Sequence, residues 1–101
     1  MAQFLAICDD VAGSAELRKA HLHAHLEYIE RIMDEVSVAG PLRENEQQPI
    51  QASCFVYHAD TLDAAQTLLA DDPYFRAGIY QSVRWFAFNP AAGTWVGGRN
   101  W

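Results

Sequence analysis

The residues of this sequence whose types could support acid–base chemistry are four histidines and a pair of adjacent aspartates. Histidine changes its charge near neutral pH, so it can accept and return a proton under physiological conditions. His25 is the strongest candidate, because it lies on an otherwise apolar stripe of a predicted helix. Such a position suits either a hydrogen-bonded core residue or a positioned acid or base, and the residues alone leave both interpretations open.

The other three histidines have weaker claims to a catalytic role. His23 falls on the acidic face of the same predicted helix, where solvent is expected to surround it, and His58 ends a predicted strand without an identifiable partner. His21 and His25 are four residues apart, a spacing that two metal ligands can share, but a catalytic zinc normally takes a third protein ligand. The sequence does not indicate that third ligand, so we predict neither a metal site nor a cofactor.

Asp72 precedes Pro73 at the end of the second predicted helix. The dipole at the C-terminus of a helix disfavours a carboxylate unless a partner compensates its charge. Aspartate before proline is also typical of ordinary turns, so a purely structural role stays open. The sequence contains no Gly-rich phosphate loop, Gly-x-Ser-x-Gly elbow or paired-cysteine motif, which disfavours phosphate binding and covalent acyl transfer.

The elements that would position these residues alternate between strand and helix patterns. Four segments are predicted to be extended, namely residues 3–8, 38–42, 51–58 and 80–88, although the second is short and is either an extended segment or a turn. Pro41 is expected to end pairing in the second of them. Residues 43–49 are polar and predict a loop.

Two helices are predicted between these strands. The first covers residues 14–36 with Ser14 as its N-cap, and the second is capped by Asp60 and Asp63 and ended by Pro73. Residues 74–78 are expected to form a turn. The apolar stripe of the first helix contains Leu22, His25, Leu26, Ile29, Ile32, Met33 and Val36.

The resulting order, β-α-β-β-α-β, is typical of an α+β ferredoxin-like fold with a four-stranded antiparallel sheet and two helices on one face. The first and last predicted strands are apolar on both faces, and two helices can cover only one of them. We therefore predict a homodimer whose sheets pack face to face. The alternative is that the C-terminal tail folds back over the open face of its own sheet.

Composition excludes several classes of protein. The chain has 101 residues and a net charge of −6 with only seven lysines and arginines, which argues against nucleic acid and anionic membranes as partners. We expect one domain at residues 1–90 and a tail at residues 91–101. Cys8 and Cys54 lack metal or disulfide spacing and are predicted to be buried thiols of a cytoplasmic protein.

Three motifs of this sequence resemble the YciI-like (YCII-related) family, in the order in which that family has them. Residues 24–29 read Ala-His-Leu-Glu-Tyr-Ile, residues 39–42 read Ala-Gly-Pro-Leu, and residues 72–80 begin with Asp-Pro-Tyr and contain Gly78. The resemblance covers about residues 2–90. It implies the dimeric α/β-barrel fold and a His25–Asp72 pair in the active site. One departure is Leu22, which stands where the family often has an arginine, so a cation is expected to be missing there.

The resemblance also implies a chemistry. If Asp72 fixes the tautomer of His25, the ring is a general base for elimination or isomerisation of a small cyclic or enolisable compound. Gly40, Pro41, Tyr74 and Phe4 are the predicted substrate contacts. The alternatives are a non-catalytic metabolite-binding module of the same fold, an interaction protein that uses its dimer face or its tail, and a cofactor-free oxygenase.

Overall fold

The computed structural model of the protein describes residues 2–100. Its main elements are β1 (Ala2–Asp10), α1 (Ser14–Arg31), β2 (Val36–Leu42), β3 (Ala52–Ala59), α2 (Leu62–Ala70), α3 (Pro73–Arg76) and β4 (Tyr80–Phe88). The four strands form one antiparallel sheet in the order β2-β3-β1-β4, and the helices pack against one face of it. The predicted α+β ferredoxin-like architecture is confirmed.

The core lies between the sheet and the helices. Alternate residues of β1 and β3 point into it, because successive side chains of a strand face opposite sides. Its buried members are Phe4, Ala6, Cys8, Phe55, Tyr57, Ala59, Ala65 and Leu69. Ala65 and Leu69 come from α2, whereas α1 contributes the partly buried Ile29.

The ends of α1 differ from the prediction. Gly13 is the N-cap, with a left-handed φ of 75° that glycine adopts without strain. Ser14 is instead the first helical residue, and its hydroxyl donates a hydrogen bond of 2.7 Å to Asp10. The helix ends at Arg31 rather than near Val36, because the 3₁₀ turn Met33–Glu35 leads the chain directly into β2.

The start of α2 and the course of β2 also correct the prediction. Thr61, and neither Asp60 nor Asp63, caps α2 by accepting a hydrogen bond from the backbone N–H of Ala64. Pairing of β2 with β3 continues through Pro41. Proline is tolerated there because β2 is an edge strand, where one side of the backbone needs no partner.

α1 turns a more polar face to the sheet than its apolar stripe predicts. The buried residues of the helix are Ser14, Arg18 and Tyr28, whereas Leu22 and Leu26 are about half exposed. The polar groups are tolerated beneath the helix because they find partners there. The hydroxyl of Tyr28, for example, donates a hydrogen bond of 2.6 Å to the carbonyl oxygen of Leu68.

The other face of the sheet carries apolar residues that no helix covers. Phe86 and Phe88 lie on this face opposite Leu5 and Gln3, and both are nearly half exposed. The tail folds into a small ribbon of its own, in which Ala92–Gly93 pairs with Gly98–Arg99 around a 3₁₀ turn, Thr94–Val96. Residues 91–100 therefore leave the two phenylalanines exposed, contrary to the alternative in which the tail covers them.

The two cysteines lie on opposite faces of the sheet. Cys54 is opposite Ile7 in the β1–β3 register, so Cys8, the next residue of β1, points the other way. Both thiols are free; Cys8 is buried, as predicted, and Cys54 is only partly buried. No helix within residues 2–100 is long and apolar enough to cross a membrane.

Candidate active site

A cavity of about 450 Å³ opens between α1 and the sheet at the β2–β3 edge. Its walls are mainly apolar, with Leu22, Leu26 and Ile29 from α1 on one side and Gly40, Pro41 and Phe55 from the sheet on the other. The polar groups that reach it include Arg18, His25 and Ser53. A mainly apolar cavity of this size with a few polar groups is typical of small-molecule sites.

His25 and Asp72 meet beside this cavity. Nδ1 of His25 lies 2.8 Å from Oδ1 of Asp72, whose side chain is completely buried. The backbone N–H of Tyr74 donates a second hydrogen bond of 2.9 Å to the same oxygen. An ionised carboxylate can only accept hydrogen bonds, so an ionised Asp72 selects the tautomer of a neutral imidazole in which Nδ1 carries the proton and Nε2 has the free lone pair.

The chain presents Asp72 to His25 because Asp72 begins a helical turn. Asp71 is the C-cap of α2, and Asp72 is the N-cap of α3, with Pro73 in the first helical position. The dipole argument drawn from the sequence is therefore corrected, since a carboxylate is favoured at the N-terminus of a helical turn. Residues 74–78, predicted as a simple turn, include all of this short helix except Pro73.

Two aromatic rings fix the orientation of His25. The ring of Tyr74 stacks on it with 3.8 Å between centroids and 2° between planes, and Phe55 approaches edge-on at 6.4 Å. The imidazole keeps 13% of its side-chain surface exposed and borders the cavity. Among residues 2–100 no group hydrogen-bonds to Nε2, so this nitrogen is available to a bound molecule.

One carboxylate oxygen of Asp72 has no hydrogen-bond partner within the described chain. This atom, Oδ2, and the hydroxyl of Tyr57 are both buried and make no hydrogen bond within the described chain. Burial, assisted by the nearby negative charge of Asp72, raises the pKa of Tyr57 far above its ordinary value. Tyr57 is therefore a neutral phenol at every physiological pH.

A second buried pair, Arg18 with Asp10, was missed by the sequence analysis. Nε and Nη2 of Arg18 each lie 2.8 Å from an oxygen of Asp10, and Nη2 also donates to the hydroxyl of Ser53 at 2.9 Å. Burial lowers the pKa of Arg18, but the hydrogen bond and charge of Asp10 outweigh it and raise that pKa overall. The guanidinium is therefore a permanent positive charge.

Arg18 changes the expectation attached to Leu22. Leu22 lies on the cavity wall and supplies no cation, but Arg18, one helical turn earlier, lines the same cavity. The seven-residue spacing between Arg18 and His25 equals two helical turns. That spacing was the signal in the sequence that could have placed both residues on one face of α1.

The other predicted contacts divide into two groups. Gly40, Pro41 and Tyr74 line the cavity beside His25. Phe4 does not; it belongs to the core, where it pairs with Tyr57 in the β1–β3 register. Phe55, which lies two residues before Tyr57 on the same face of β3, borders the cavity instead. The cavity lies toward the start of β3, where Ser53 also lines it.

Two other histidines, His23 and His58, lie away from this site. His23 is in solvent, as predicted, with Nε2 at 3.2 Å from a carboxylate oxygen of Glu27. His58 is partly buried on the open face of the sheet. Within residues 2–100 no three histidine, cysteine, aspartate or glutamate side chains gather as a metal site would require.

Comparison with known structures identifies proteins that share this fold. The chain is 23% identical to 5-chloro-2-hydroxyhydroquinone dehydrochlorinase (TftG) from Burkholderia phenoliruptrix AC1100, solved with 2,5-dihydroxybenzoquinone; the match has a TM-score of 0.79 and covers 91% of this chain and 96% of that one. Protein Atu4242 from Agrobacterium tumefaciens is 14% identical, with a TM-score of 0.55 over 90% of this chain and 94% of that one. These matches show a shared fold.

A search among curated proteins found no significant relative. The family model of the YCII-related domain matches residues 2–89, which include α1, β2 and the Asp72 turn. Because the match spans nearly all of the chain, this protein belongs to the YCII-related domain family.

Proposed function

We propose that this protein is an enzyme that uses His25 and Asp72 for general acid–base chemistry on a small cyclic or enolisable organic compound. The observation that carries the proposal is the 2.8 Å contact of Nδ1 with the buried Asp72, which leaves Nε2 beside a mainly apolar cavity. The similar fold solved with 2,5-dihydroxybenzoquinone, a small ring compound, supports this substrate class.

The proposed reaction begins when Nε2 of His25 removes a proton from carbon or oxygen of the substrate. Asp72 stays ionised and stabilises the imidazolium that results. The electron pair left on the substrate either expels a leaving group, such as chloride, from a neighbouring carbon or returns to a different carbon that His25 reprotonates. The first outcome is elimination and the second is isomerisation, and neither needs an external oxidant or reductant.

The test compares His25→Ala with His23→Ala, which removes a histidine from the same helix but from its solvent face. We expect His25→Ala to slow exchange of an activated carbon acid's proton, or release of chloride from a chlorinated hydroxyhydroquinone, by about 100-fold or more. Proton exchange is followed by NMR in deuterated water and chloride by ion chromatography. His23→Ala should retain the wild-type rate.

Equal rates in wild type and His25→Ala would remove His25 as the base. A ligand such as 2,5-dihydroxybenzoquinone that binds and emerges unchanged, with no proton exchange, would favour the metabolite-binding module instead. Oxygen consumption during turnover would favour a cofactor-free oxygenase.

A homodimer formed through the open face of the sheet is part of the proposal. The support is the exposed pair Phe86 and Phe88 on the sheet face that also carries Leu5 and Ile7. We expect the wild type to sediment as a dimer and Phe86→Asp to sediment as a monomer. Phe75→Asp is the matched control, because Phe75 is similarly exposed but lies on α3, on the helix side. A dimer that persists in Phe86→Asp would contradict this interface.

We also retain the cytoplasm as the proposed location of this enzyme. The support is that Cys8 and Cys54 are both free thiols, which suits a reducing compartment.

A further inference from the structure

Arg18 is a cation of the cavity that the proposed acid–base pair does not use. It lies on α1 two turns before His25, and both side chains border the cavity. With a rise of about 1.5 Å per residue, their Cα atoms are roughly 10 Å apart. The two residues therefore lie about two helical turns apart along the wall of the same cavity.

The guanidinium of Arg18 has more hydrogen-bond donors than Asp10 and Ser53 use. Its group has five N–H bonds. Asp10 and Ser53 take three of them, through Nε and Nη2. Within residues 2–100 no hydrogen-bond distance joins Nη1 to another group, although the guanidinium is close enough to the Tyr74 hydroxyl to oppose the rise in its pKa that burial causes. The Arg18 side chain as a whole is 10% exposed.

Tyr74 holds Arg18 and His25 in a fixed relation. Its ring stacks on His25, and the central carbon of the Arg18 guanidinium lies 5.3 Å from the centroid of the same ring. The hydroxyl of Tyr74 donates to the backbone carbonyl of Arg18 at 3.2 Å. Base and cation are therefore positioned before any ligand arrives, which is the condition for stabilising charge that develops during a reaction.

We propose that Nη1 of Arg18 binds the substrate oxygen that becomes negatively charged when His25 removes the proton. This inference rests on the proposed function and narrows its substrate class to weakly acidic phenols and enols. The proton moves to Nε2 of His25, and the electron pair that remains is delocalised onto the oxygen. Because Asp10 offsets the charge of Arg18, a singly charged, delocalised oxyanion fits this site better than a compact dianion such as phosphate.

The test measures binding and needs no turnover. p-Nitrophenol is the probe, because its phenolate absorbs in the visible range and its neutral phenol does not; nitrobenzene is the analogue without an ionisable oxygen. We expect wild-type protein to bind the phenolate more tightly than nitrobenzene and to lower the apparent pKa of the bound phenol. An unchanged apparent pKa of the bound phenol would overturn the proposal.

The variants remove the cation in two ways. Arg18→Lys keeps a charge but loses the fork of donors, and the double variant R18Q/D10N removes both charges while keeping groups that can hydrogen-bond, so that no buried charge is left alone. We expect the double variant to lose about tenfold or more in phenolate affinity and little in nitrobenzene affinity. Arg76→Gln is the matched control, because Arg76 pairs with Asp71 in solvent.

Lys19 also lines the cavity and is the competing cation. Loss of the phenolate preference in Lys19→Gln, with retention in both Arg18 variants, would overturn the assignment to Arg18. His25→Ala separates this inference from the proposed function. If His25→Ala keeps full turnover, the acid–base role fails, yet loss of phenolate binding in the Arg18 variants would still establish the oxyanion site.

Discussion

Among residues 2–100, a histidine–carboxylate contact and an arginine–carboxylate contact each occur beneath α1 and again in solvent. His25 with Asp72 and Arg18 with Asp10 are the buried pairs, and the side chains of this histidine and this arginine are 13% and 10% exposed. The corresponding solvent pairs are His23 with Glu27 and Arg76 with Asp71, where the exposed fractions are 90% and 68%. Since the interacting groups match, imidazole or guanidinium with carboxylate, the difference in what the pairs can do comes mainly from their surroundings.

Burial changes an ion pair from a weak surface contact into a fixed arrangement. In solvent, water and salt screen the attraction, so such pairs contribute little to stability or position. Beneath α1, each carboxylate has few alternatives to its partner, and neighbouring groups hold the geometry. The two buried pairs also differ from each other, because histidine can release its proton near neutral pH and arginine cannot.

The largest expected effect comes from leaving a buried charge alone. Arg18→Ala strands Asp10, so we expect the free energy of unfolding to fall by about 3–5 kcal/mol. Arg76→Ala removes the corresponding solvent pair and should cost less than about 1 kcal/mol. Urea unfolding followed by circular dichroism measures both values. Equal losses in the two variants would mean that burial does not distinguish the pairs.

The next effect concerns Asp72, the carboxylate that pairs with the candidate base His25. Asp72→Ala removes the hydrogen bonds from His25 and from the backbone of Tyr74, and we expect a loss of about 2–3 kcal/mol in the free energy of unfolding. Asp71→Ala, one residue earlier and in solvent, should change this value by less than about 1 kcal/mol. The same unfolding measurement applies. A loss in Asp72→Ala no larger than that in its neighbour would show that the N-cap and the His25 contact are not held in solution.

The last effect, which is absent near neutral pH, extends the comparison to the two cysteines. Burial, with smaller contributions from neighbouring thiol and carboxylate groups, raises the pKa of Cys8 to about 12 from an ordinary value of 9.0. Between pH 9 and 12 the unfolded chain loses this proton first, so stability that is complete below pH 9 declines as pH rises. We expect Cys8 alone to contribute a fall of about 1.4 kcal/mol per pH unit in that window.

The measurement is the pH dependence of unfolding in Cys8→Ala and in Cys54→Ala. Burial raises the pKa of Cys54 as well, but Cys54 is only partly buried. The slope between pH 9 and 12 should therefore flatten more in Cys8→Ala than in Cys54→Ala. A slope that stays unchanged in Cys8→Ala would contradict the assignment.

The order of the elements was predictable because it depends on local patterns. Apolar runs and helical spacing predicted all four main strands and the two main helices. The errors lie at helix ends, where Gly13 and Thr61 replace the predicted caps, and at Pro41, which continues β2. These details depend on neighbouring segments, such as the contact of Ser14 with Asp10. Sequence spacing does not report such contacts.

The candidate site was predictable in part. The motif resemblance selected His25 and Asp72, which lie 47 residues apart and meet in the structure. Arg18 was missed because its partner Asp10 and its neighbour Ser53 come from two strands that only the sheet register brings together. Phe4 was chosen over Phe55 for the same reason. Both residues point to the helix side of the sheet, but only Phe55 borders the cavity.

The sequence by itself determined the elements and their order, since helical and strand periodicities are properties of short segments. Only the tertiary structure decided which face of α1 meets the sheet. Hydrogen-bond partners on β1, β3 and α2 stabilise the buried Arg18 and Tyr28 on that face. Local hydrophobicity alone would place these polar groups in solvent. The position of Tyr74 between the base and the cation has the same origin. It depends on contacts between residues distant in the chain, and these form only when all layers pack together.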